Sequence, residues 1–282
     1  MTTIEQSLQH ATEQLTKSGS DTAHLDSELL LGNVIGRSRT WLHTWPESTI
    51  DNDNLHLFSN LIQRRADGEP VAHLIGKQEF WSLSLKITAD TLVPRPETEV
   101  MVEQVLGLVP EEAEWKIADL GTGSGAIAIA VANERAGCTI TATDQSAATL
   151  AVARENGHSH HLKNIKFLQG SWFEPLDSID QRYDLILSNP PYIASSDPHL
   201  EQGDLRYEPD SALISGDSGM DDLNHLVNNA RGYLLPDGIL MVEHGYDQGK
   251  KVRSLFQHNN FSGVTTLHDL AGLERITYGI RV

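Results

Sequence analysis

The stretch "WKIADLGTGSGAIAIAVANERAG", residues 115–137, contains the transition that decides the fold. Its first part, "WKIADLG", is an apolar run typical of a buried strand, and "SGAIAIAVANERAG" carries Ala and Ile at helical spacing. Three spaced glycines, Gly121, Gly123 and Gly125, join the two segments. A strand that passes through a glycine-rich turn into a helix is the beginning of a βαβ unit. The stretch therefore predicts a parallel sheet with helices packed against it.

The same alternation continues to the end of the chain. The segments predicted as strands are "WKIADLG", "TITATD", "IKFLQG", "YDLILSNPP", "GILMVEHG" and two further β segments, the last being "ERITYGIRV". Helical segments of about 12 residues separate the earlier strands, which indicates βαβ units and a largely parallel sheet. The sequence predicts an α/β fold with a doubly wound, mostly parallel sheet.

The part of the chain before this sheet has a different pattern. "TIEQSLQHATEQL" has apolar residues at helical spacing, with Thr3 and Gln6 placed as a capping box, and two more amphipathic segments follow. "AHLIGKQEFWSLSLKIT" is typical of a hairpin, and "LVPRPETEV" of a proline-stiffened connector. We predict a small helical domain over residues 1–85, a hairpin and linker to about residue 97, and an α/β domain over 97–282.

Composition bounds the class of protein. Of the 282 residues, 39% are hydrophobic, and the mean hydropathy is −0.31, which is typical of a soluble globular protein. No apolar run approaches the roughly 18 residues of a membrane span, and the N-terminus lacks a signal-peptide pattern. The single cysteine, Cys138, excludes an intrachain disulfide framework and is expected to be a small buried core residue. The sequence predicts a cytoplasmic protein without a membrane partner.

The net charge of −18 argues against a nucleic-acid-binding protein. Residues 1–90 carry 7 Lys and Arg against 12 Asp and Glu, and the remainder carries 14 against 27. Proteins that bind nucleic acid through phosphates normally have a basic face. We therefore expect no direct nucleic-acid binding, and either a neutral or basic protein partner or a small molecule.

In an open α/β sheet, ligands bind beyond the carboxyl ends of the strands, and the glycine-rich turn lies there. Glycines let a ligand touch the backbone, and the helix N-terminus offers unpaired N–H groups. The spacing also fits the G-x-G-x-x-A dinucleotide fingerprint, so the turn alone does not name its ligand. Asp144 ends the next predicted strand, where a carboxylate can accept both ribose hydroxyl groups of an adenosine-containing cofactor. Its alternative role is to cap the helix that begins near Ser146.

The segment "SNPPYI", residues 188–193, identifies the chemistry more closely. Two prolines cannot continue a strand ladder, so the chain leaves the sheet in a stiff conformation. The Asn189 side-chain oxygen and the Pro190 carbonyl offer two rigid acceptors, and Tyr192 can pack on a flat group. Methyl transfer from S-adenosylmethionine to a planar nitrogen needs such acceptors, because the nitrogen is a poor nucleophile and gains positive charge. A purely structural Pro-Pro turn is the alternative.

These motifs resemble those of a known family. "DLGTGSG", "TDQS" and "NPPY", in this order, look like the class I S-adenosylmethionine-dependent methyltransferases that act on planar nitrogens. Within that group, the chain resembles the protein-glutamine N5-methyltransferases that modify peptide-chain release factors. The closer resemblance rests on "GEPVAHLIGKQEFWSLSL" (68–85), "TLVPRPETE" (91–99), "RYEPDSAL" (206–213) and "MVEHG" (241–245), and it covers nearly the whole chain.

The resemblance implies a seven-stranded Rossmann-like methyltransferase sheet and a set of site residues. The residues implied for the cofactor are Gly121, Thr122, Gly123, Ser124, Gly125, Asp144, Trp172 and Asn189. Asp144 would hold the ribose, and Trp172 would lie beside the adenine, although a core aromatic is the alternative for Trp172. The residues implied for the substrate amide are Asn189, Pro190, Pro191 and Tyr192, with Asn189, Pro190 and Tyr192 catalytic.

The implied reaction moves a methyl group from S-adenosylmethionine to the side-chain nitrogen N5 of a glutamine in the Gly-Gly-Gln motif of class I release factors. Direct in-line displacement would give N5-methylglutamine and S-adenosylhomocysteine. Three alternatives stay open at this point: glutamine methylation of a ribosomal protein, adenine-N6 methylation of nucleic acid, and a catalytically silent cofactor-binding scaffold. The N-terminal helices are the candidate surface for substrate recognition.

Two other patterns predict no further chemistry. His158, His160 and His161 lie close together at a predicted helix end, but no Cys or acidic residue has zinc-site spacing to them, so no metal is expected. Ser124 and Ser188 lack the context of a nucleophile elbow, which argues against a hydrolase.

Overall fold

The computed structural model describes residues 2–179 and 181–282, and the chain divides into two compact units. The first unit contains the residues up to Lys77 together with His199–Tyr207, and the second contains Gln78–Pro198 and Glu208–Val282. The division into compact units thus falls after Lys77, and the functional assignment of the predicted domains stays a prediction.

The first unit is built from short helices around an apolar core. Its helices are α1 (Ile4–Lys17), α2 (Ala23–Ile35), α3 (Arg39–Thr44), α4 (Asn52–Ala66) and α5 (Val71–Ile75). The predicted capping box begins α1: the Thr3 hydroxyl accepts from the Gln6 N–H, and the Gln6 side chain accepts from the Thr3 N–H. Apolar side chains of α1, α2 and α4, such as Leu15, Leu30 and Leu61, bury one face of each helix.

A segment from far along the chain belongs to this helical unit. The Arg65 guanidinium, only 12% exposed, donates to Asp26 at 2.7 Å and to Asp204 at 2.6 Å. Arg206 and the Tyr207 hydroxyl both donate to the Asp67 carbonyl, at 3.0 and 3.1 Å. These polar contacts hold His199–Tyr207 on the helices, which no local sequence pattern predicts.

The second unit contains the strands. They are β1 (Lys77–Phe80), β2 (Leu83–Lys86), β3 (Lys116–Leu120), β4 (Thr139–Asp144), β5 (Ile165–Gln169), β6 (Tyr183–Ser188), β7 (Leu234–Glu243), β8 (Phe261–His268) and β9 (Glu274–Arg281). The helices are α6 (Glu99–Leu108), α7 (Ala126–Glu134), α8 (Ala147–Ser159), α9 (Glu174–Asp177), α10 (Asp210–Leu213), α11 (Asp221–Asn229) and α12 (Gly249–His258). β1 and β2 form the predicted hairpin as a separate two-stranded sheet.

The main sheet has seven strands in the order β5-β4-β3-β6-β7-β9-β8. β3 to β7 pair in parallel, whereas β9 runs antiparallel to both of its neighbours. The chain winds outward from β3 to β5 and then returns to place β6 on the other side of β3. The topological switch point therefore lies between β3 and β6, where such sheets bind ligands.

Both faces of this sheet are buried, as a doubly wound fold requires. On one face, Leu120 of β3, Ile186 of β6 and Leu240 of β7 share a core with Leu226 of α11 and Phe256 of α12. The alternate side chains point to the opposite face and are also fully buried; they include Ile117, Leu185, Leu187 and Met241. Cys138 is buried as predicted. Among the described residues, none of the helices is long and apolar enough to cross a membrane.

Candidate active site

An open cleft lies at the carboxyl end of the parallel strands of the second unit. The turns after β3, β4, β5 and β6 all reach it. Its described lining residues are Asp90, Leu92, Pro94, Thr98, Gly121, Thr122, Gly123, Ser124, Ala126, Ile127, Asp144, Gln145, Ser146, Thr149, Gly170, Ser171, Trp172, Asn189, Pro191, Pro209, Ser211 and Ala212.

The turn after β3 is held in a shape that only glycine adopts easily. The N–H groups of Gly121 and Thr122 both donate to the Thr143 carbonyl, at 2.9 and 2.8 Å. Gly121 has a φ of 73°, and a methyl group there would lie 3.1 Å from the Trp172 ring. Gly123, with a φ of 59°, would direct a methyl group into open space. The backbone at Gly123 is therefore accessible to a ligand in the cleft.

Asp144 lies at the end of β4, next to this turn. Its Oδ2 accepts from the Gly123 N–H at 3.1 Å, and its Oδ1 accepts from the Ser146 N–H at 2.9 Å. Burial raises the pKa of the Asp144 carboxyl, and these two N–H donors oppose the rise. Ser146, rather than Asp144, is the N-cap of α8, since its hydroxyl accepts from the Thr149 N–H. Each carboxylate oxygen retains a lone pair for a further donor.

Asp119, the acidic residue before the glycine turn, is fully buried under it. The Thr122 hydroxyl donates to Asp119 Oδ2 at 2.6 Å, whereas Oδ1 accepts no hydrogen bond from the described residues. Burial raises the pKa of Asp119 to about 6, and the Thr122 hydrogen bond acts in the opposite direction. The carboxylate thus fixes the position of Thr122 from below. Asp119 lies in the quoted motif, but the sequence alone did not indicate this role.

Trp172 lines the cleft and also packs against the core of the second unit. Its φ is 46°, an unusual value for a residue with a large side chain, and its carbonyl accepts from the Thr143 hydroxyl at 3.4 Å. The two alternatives for Trp172, a ligand contact and a core aromatic, are therefore compatible in one side chain.

The two prolines end β6 as predicted, and Asn189 emerges beside the glycine turn. The register pairs Leu120 of β3 with Ser188 of β6, and the Ser188 hydroxyl donates to the Leu120 carbonyl at 2.7 Å. Gly121 and Asn189, the next residues of each strand, therefore leave the sheet side by side at the cleft. The Asn189 Nδ2 donates to the Thr98 hydroxyl at 3.3 Å.

The remaining residues of the Asn189–Tyr192 segment differ in whether they line the cleft, and Tyr192 is hydrogen-bonded on the side away from it. Pro191 lines the cleft, whereas Pro190 is buried and does not line it, and Tyr192 also lies outside the lining. The Tyr192 hydroxyl donates to Glu243 at 3.3 Å, and its carbonyl accepts from the Gln248 side chain at 3.0 Å. Burial, followed by the nearby Glu243, raises the pKa of the Tyr192 hydroxyl, so this side chain stays neutral.

Several lining residues lie outside the predicted set. Asp90, Leu92, Pro94 and Thr98 come from the connector before α6, and Pro209, Ser211 and Ala212 come from the segment around α10. Both stretches overlap motifs on which the family resemblance rests, residues 91–99 and 206–213. That overlap was the sequence signal by which these lining residues could have been predicted. Gly125, in contrast, belongs to the predicted set but does not line the cleft. It is the N-cap of α7, and a methyl group there would lie 2.8 Å from the Ile129 side chain.

Two of the histidines near the end of α8, His160 and His161, have positions that the local structure explains. The His160 Nε2 lies 2.9 Å from the Ser84 carbonyl, and His161 adopts a φ of 59° in the turn that follows the helix. Within residues 2–179 and 181–282, no cluster of three or more His, Cys, Asp or Glu side chains could hold a metal ion.

Two family models match the chain. One, described as the PrmC N-terminal domain, matches residues 6–76, and the other, described as a methyltransferase domain, matches residues 111–273. The second of these covers more than half of the chain.

Curated relatives match over nearly their whole length. The release factor glutamine methyltransferase of Aliivibrio fischeri is 43% identical over 276 residues, which is 98% of this chain and 96% of that protein. The protein of the same name from Salmonella typhimurium is 44% identical and covers 96% of each chain. Among solved structures, a methyltransferase from Pyrococcus furiosus superposes with a TM-score of 0.54 at 15% identity, over 79% of this chain and 98% of that one. This last likeness concerns the fold alone.

The close packing of Gly219 against the Tyr192 main chain predicts an effect on stability. Gly219 has a φ of 69°, and a methyl group there would lie 2.3 Å from the Tyr192 carbonyl oxygen. Gly272 has a φ of 79° with nothing within 4 Å. We expect Gly272→Ala to lower the free energy of unfolding by about 1 kcal/mol, the cost of a left-handed alanine. Gly219→Ala should cost about 2 kcal/mol more, because the carbonyl must move. Urea unfolding measures both, and equal losses would contradict the close packing of Gly219 on Tyr192.

Proposed function

Because the chain belongs to the release factor glutamine methyltransferase family, we propose that it methylates the side-chain nitrogen N5 of a glutamine in a class I release factor. The methyl donor is S-adenosylmethionine, and the glutamine is that of the Gly-Gly-Gln motif. The observation that carries this proposal is the 43% identity to a protein of that name over 98% of the chain. The adjacency of Asn189 to the glycine turn at the strand switch point supports it.

The cleft fits S-adenosylmethionine. The Asp144 carboxylate offers acceptors for the two ribose hydroxyl groups, and the Trp172 ring supplies a flat apolar surface for the adenine. The open backbone at Gly123, close to the N-terminus of α7, leaves room for the amino-acid part of the cofactor. The residues proposed to hold it are Gly121, Thr122, Gly123, Ser124, Asp144, Trp172 and Asn189.

When bound, S-adenosylmethionine supplies a methyl group on a positively charged sulfur. The task of the chain is to present a glutamine nitrogen whose lone pair is delocalised into the amide. Neither the Asn189 Oδ1 nor the Pro190 carbonyl oxygen accepts a hydrogen bond from the described residues. Asn189 lines the cleft, so its Oδ1 is available to one N–H bond of the substrate amide. We propose the carbonyl of Pro190, a buried residue next to the lining, as the acceptor for the other N–H bond. Such fixed acceptors bind more strongly as positive charge develops on nitrogen, which lowers the barrier. The carbon–sulfur bond breaks as the carbon–nitrogen bond forms, and the nitrogen then loses one of its two protons to solvent to give neutral N5-methylglutamine.

Substrate selection needs more than this pocket, because a glutamine amide has few distinguishing features. We assign recognition of the release factor to the first unit, whose helices offer surface beyond the cleft. The segment His199–Tyr207 of that unit follows the Asn189–Tyr192 segment closely in sequence. One short stretch of chain therefore contributes residues first to the second unit and then to the first unit. The net charge of −18 disfavours a nucleic acid as the partner.

The proposed ribose contact predicts a loss of cofactor affinity. Asp144→Ala removes a charged acceptor, and we expect S-adenosylmethionine to bind more weakly by about 1–3 kcal/mol. Asp90→Ala is the matched control, since Asp90 also lines the cleft but is exposed and makes no comparable contacts. Isothermal titration calorimetry on folded variants measures both. Equal losses would mean that only the general negative charge of the cleft matters, and the ribose assignment would be wrong.

The proposed substrate contact predicts a loss of rate. Asn189→Ala removes one of the two acceptors, and one preorganised group of this kind is worth about 3 kcal/mol, or roughly a hundredfold or more in rate. Tyr192→Phe keeps the ring and serves as the milder comparison. Single-turnover methylation of a release factor, with cofactor affinity measured in parallel, gives the two rates. Near-normal turnover in Asn189→Ala would reduce the Asn189–Tyr192 segment to a rigid turn.

A further inference from the structure

A buried carboxylate lies behind the Asn189–Tyr192 segment and is linked to it directly through Tyr192 and indirectly, through Thr98, to Asn189. Glu243, the last residue of β7, is 2% exposed. Its Oε2 accepts from the Thr98 hydroxyl at 2.8 Å, and its Oε1 accepts from the Tyr192 hydroxyl at 3.3 Å. Thr98 is 3% exposed and also accepts from the Asn189 Nδ2 at 3.3 Å. Asn189, Thr98 and Glu243 therefore form a continuous chain of hydrogen bonds, which we call the relay.

The donors and acceptors of the relay can be assigned from chemistry alone. An amide nitrogen only donates, an ionised carboxylate only accepts, and a threonine hydroxyl has one hydrogen. Thr98 gives that hydrogen to Glu243, so toward Asn189 it can only accept. If the Asn189 amide were rotated by half a turn, its Oδ1 would face the Thr98 oxygen with no hydrogen between them. An unsatisfied pair of buried acceptors is costly, so ionised Glu243 selects one orientation of the Asn189 amide.

From this geometry, we infer that Glu243 is a positioning residue that acts through Thr98 to hold the Asn189 Oδ1 toward the substrate amide. The inference rests on the proposed function, because it gives Asn189 the role of substrate acceptor. It goes beyond that function in assigning the control of Asn189 to two side chains that do not touch the reacting nitrogen.

The relay also couples the site to pH. Burial raises the pKa of Glu243 to about 7, against the hydrogen bonds from Thr98 and Tyr192. The other charged groups that face it are Arg275 of β9, which lowers the pKa, and Glu97 before α6, which raises it. A raised carboxyl pKa means that Glu243 gains a proton as the pH falls through about 7. It can then donate to Thr98, so the Thr98 hydrogen points to Asn189 and is accepted by Oδ1, which reverses the orientation preference and turns Oδ1 away from the substrate.

The expected result in the unmodified protein is a loss of rate at low pH. For a pKa of about 7, the ionised fraction of Glu243 falls about tenfold between pH 8 and pH 6. The steady-state kcat for methylation of a release factor, measured at saturating cofactor, should fall by the same factor. KM for the release factor should change less than kcat, since the acceptor held by the relay binds most strongly as positive charge develops on nitrogen.

Three variants separate positioning from general structural support. Glu243→Gln keeps the volume but cannot titrate, so the fall in kcat between pH 8 and pH 6 should disappear. Thr98→Val removes the relay hydroxyl and should lower kcat at pH 8 by roughly tenfold, with the same flat pH profile. Thr98→Ser retains the hydroxyl and should retain the pH dependence. Asp184→Asn, at the opposite end of the sheet where Asp184 accepts from the Lys116 N–H, is the matched control and should leave the pH profile as it is.

The double variant Thr98→Val with Glu243→Gln tests whether the two residues act in sequence. If Glu243 acts through Thr98, the double variant should be no slower than Thr98→Val alone, whereas independent roles would multiply the two losses. An undiminished tenfold loss of rate between pH 8 and pH 6 in Glu243→Gln, or multiplied losses in the double variant, would overturn the relay.

A measurement without catalysis keeps the relay separate from the proposed function. Infrared difference spectra between pH 8 and pH 6 should show the carbonyl stretch of a buried carboxylic acid that is absent in Glu243→Gln. Side-chain NMR of Asn189 should show its N–H₂ signals change over the same pH range, and not in Thr98→Val. If no release factor were methylated but these signals titrated together, the proposed function would fail and the relay would stand. If the protein were active but Asn189 did not follow Glu243, the relay alone would fail.

Discussion

The parallel pairing of β3 with β6 is the constraint on which the site depends. Each strand ends at its own turn, one rich in glycine and the other in proline, and the register Leu120–Ser188 makes these two turns neighbours. The buried hydrogen bond from the Ser188 hydroxyl to the Leu120 carbonyl fixes the pair at its last residue. A shift of one residue would exchange the faces of β6 and take Asn189 away from the cleft. The glycine turn and the Asn189–Tyr192 segment are thus placed together by the register of the sheet.

Near these two turns, two carboxylates are buried in surroundings that disfavour a charge. Asp119 lies beneath the glycine turn and Glu243 behind the Asn189–Tyr192 segment, and burial raises the pKa of both. A buried carboxylate costs free energy, so such groups contribute little to net stability. Each holds a threonine that lines the cleft: Asp119 accepts from the Thr122 hydroxyl, and Glu243 accepts from the Thr98 hydroxyl. The stability given up in this way supports a site with one defined geometry.

The sequence predicted the parts of the molecule that depend on local pattern. The alternation of strands and helices, the hairpin, the capping box at Thr3 and the end of β6 all follow from periodicity and from the properties of proline and glycine. The placement of Asp144 and Trp172 at the cleft was also expected.

Contacts across long sequence separations were not predictable, because no local pattern encodes them. Thr98 meets Glu243 only in the folded sheet, and Arg65 meets Asp204 only in the helical unit. Pro190 and Tyr192 were expected at the substrate, but they lie outside the lining of the cleft because the segment is anchored from behind.

We conclude that the protein methylates one glutamine side chain in a release factor. The most direct measurement incubates the protein with methyl-labelled S-adenosylmethionine and, separately, a purified class I release factor, ribosomal protein and DNA, and locates the label by mass spectrometry. We expect label on the N5 of the glutamine in the Gly-Gly-Gln motif, with none on a release factor in which that glutamine is replaced by alanine. Label on DNA, on the ribosomal protein, or at another residue of the release factor would contradict it.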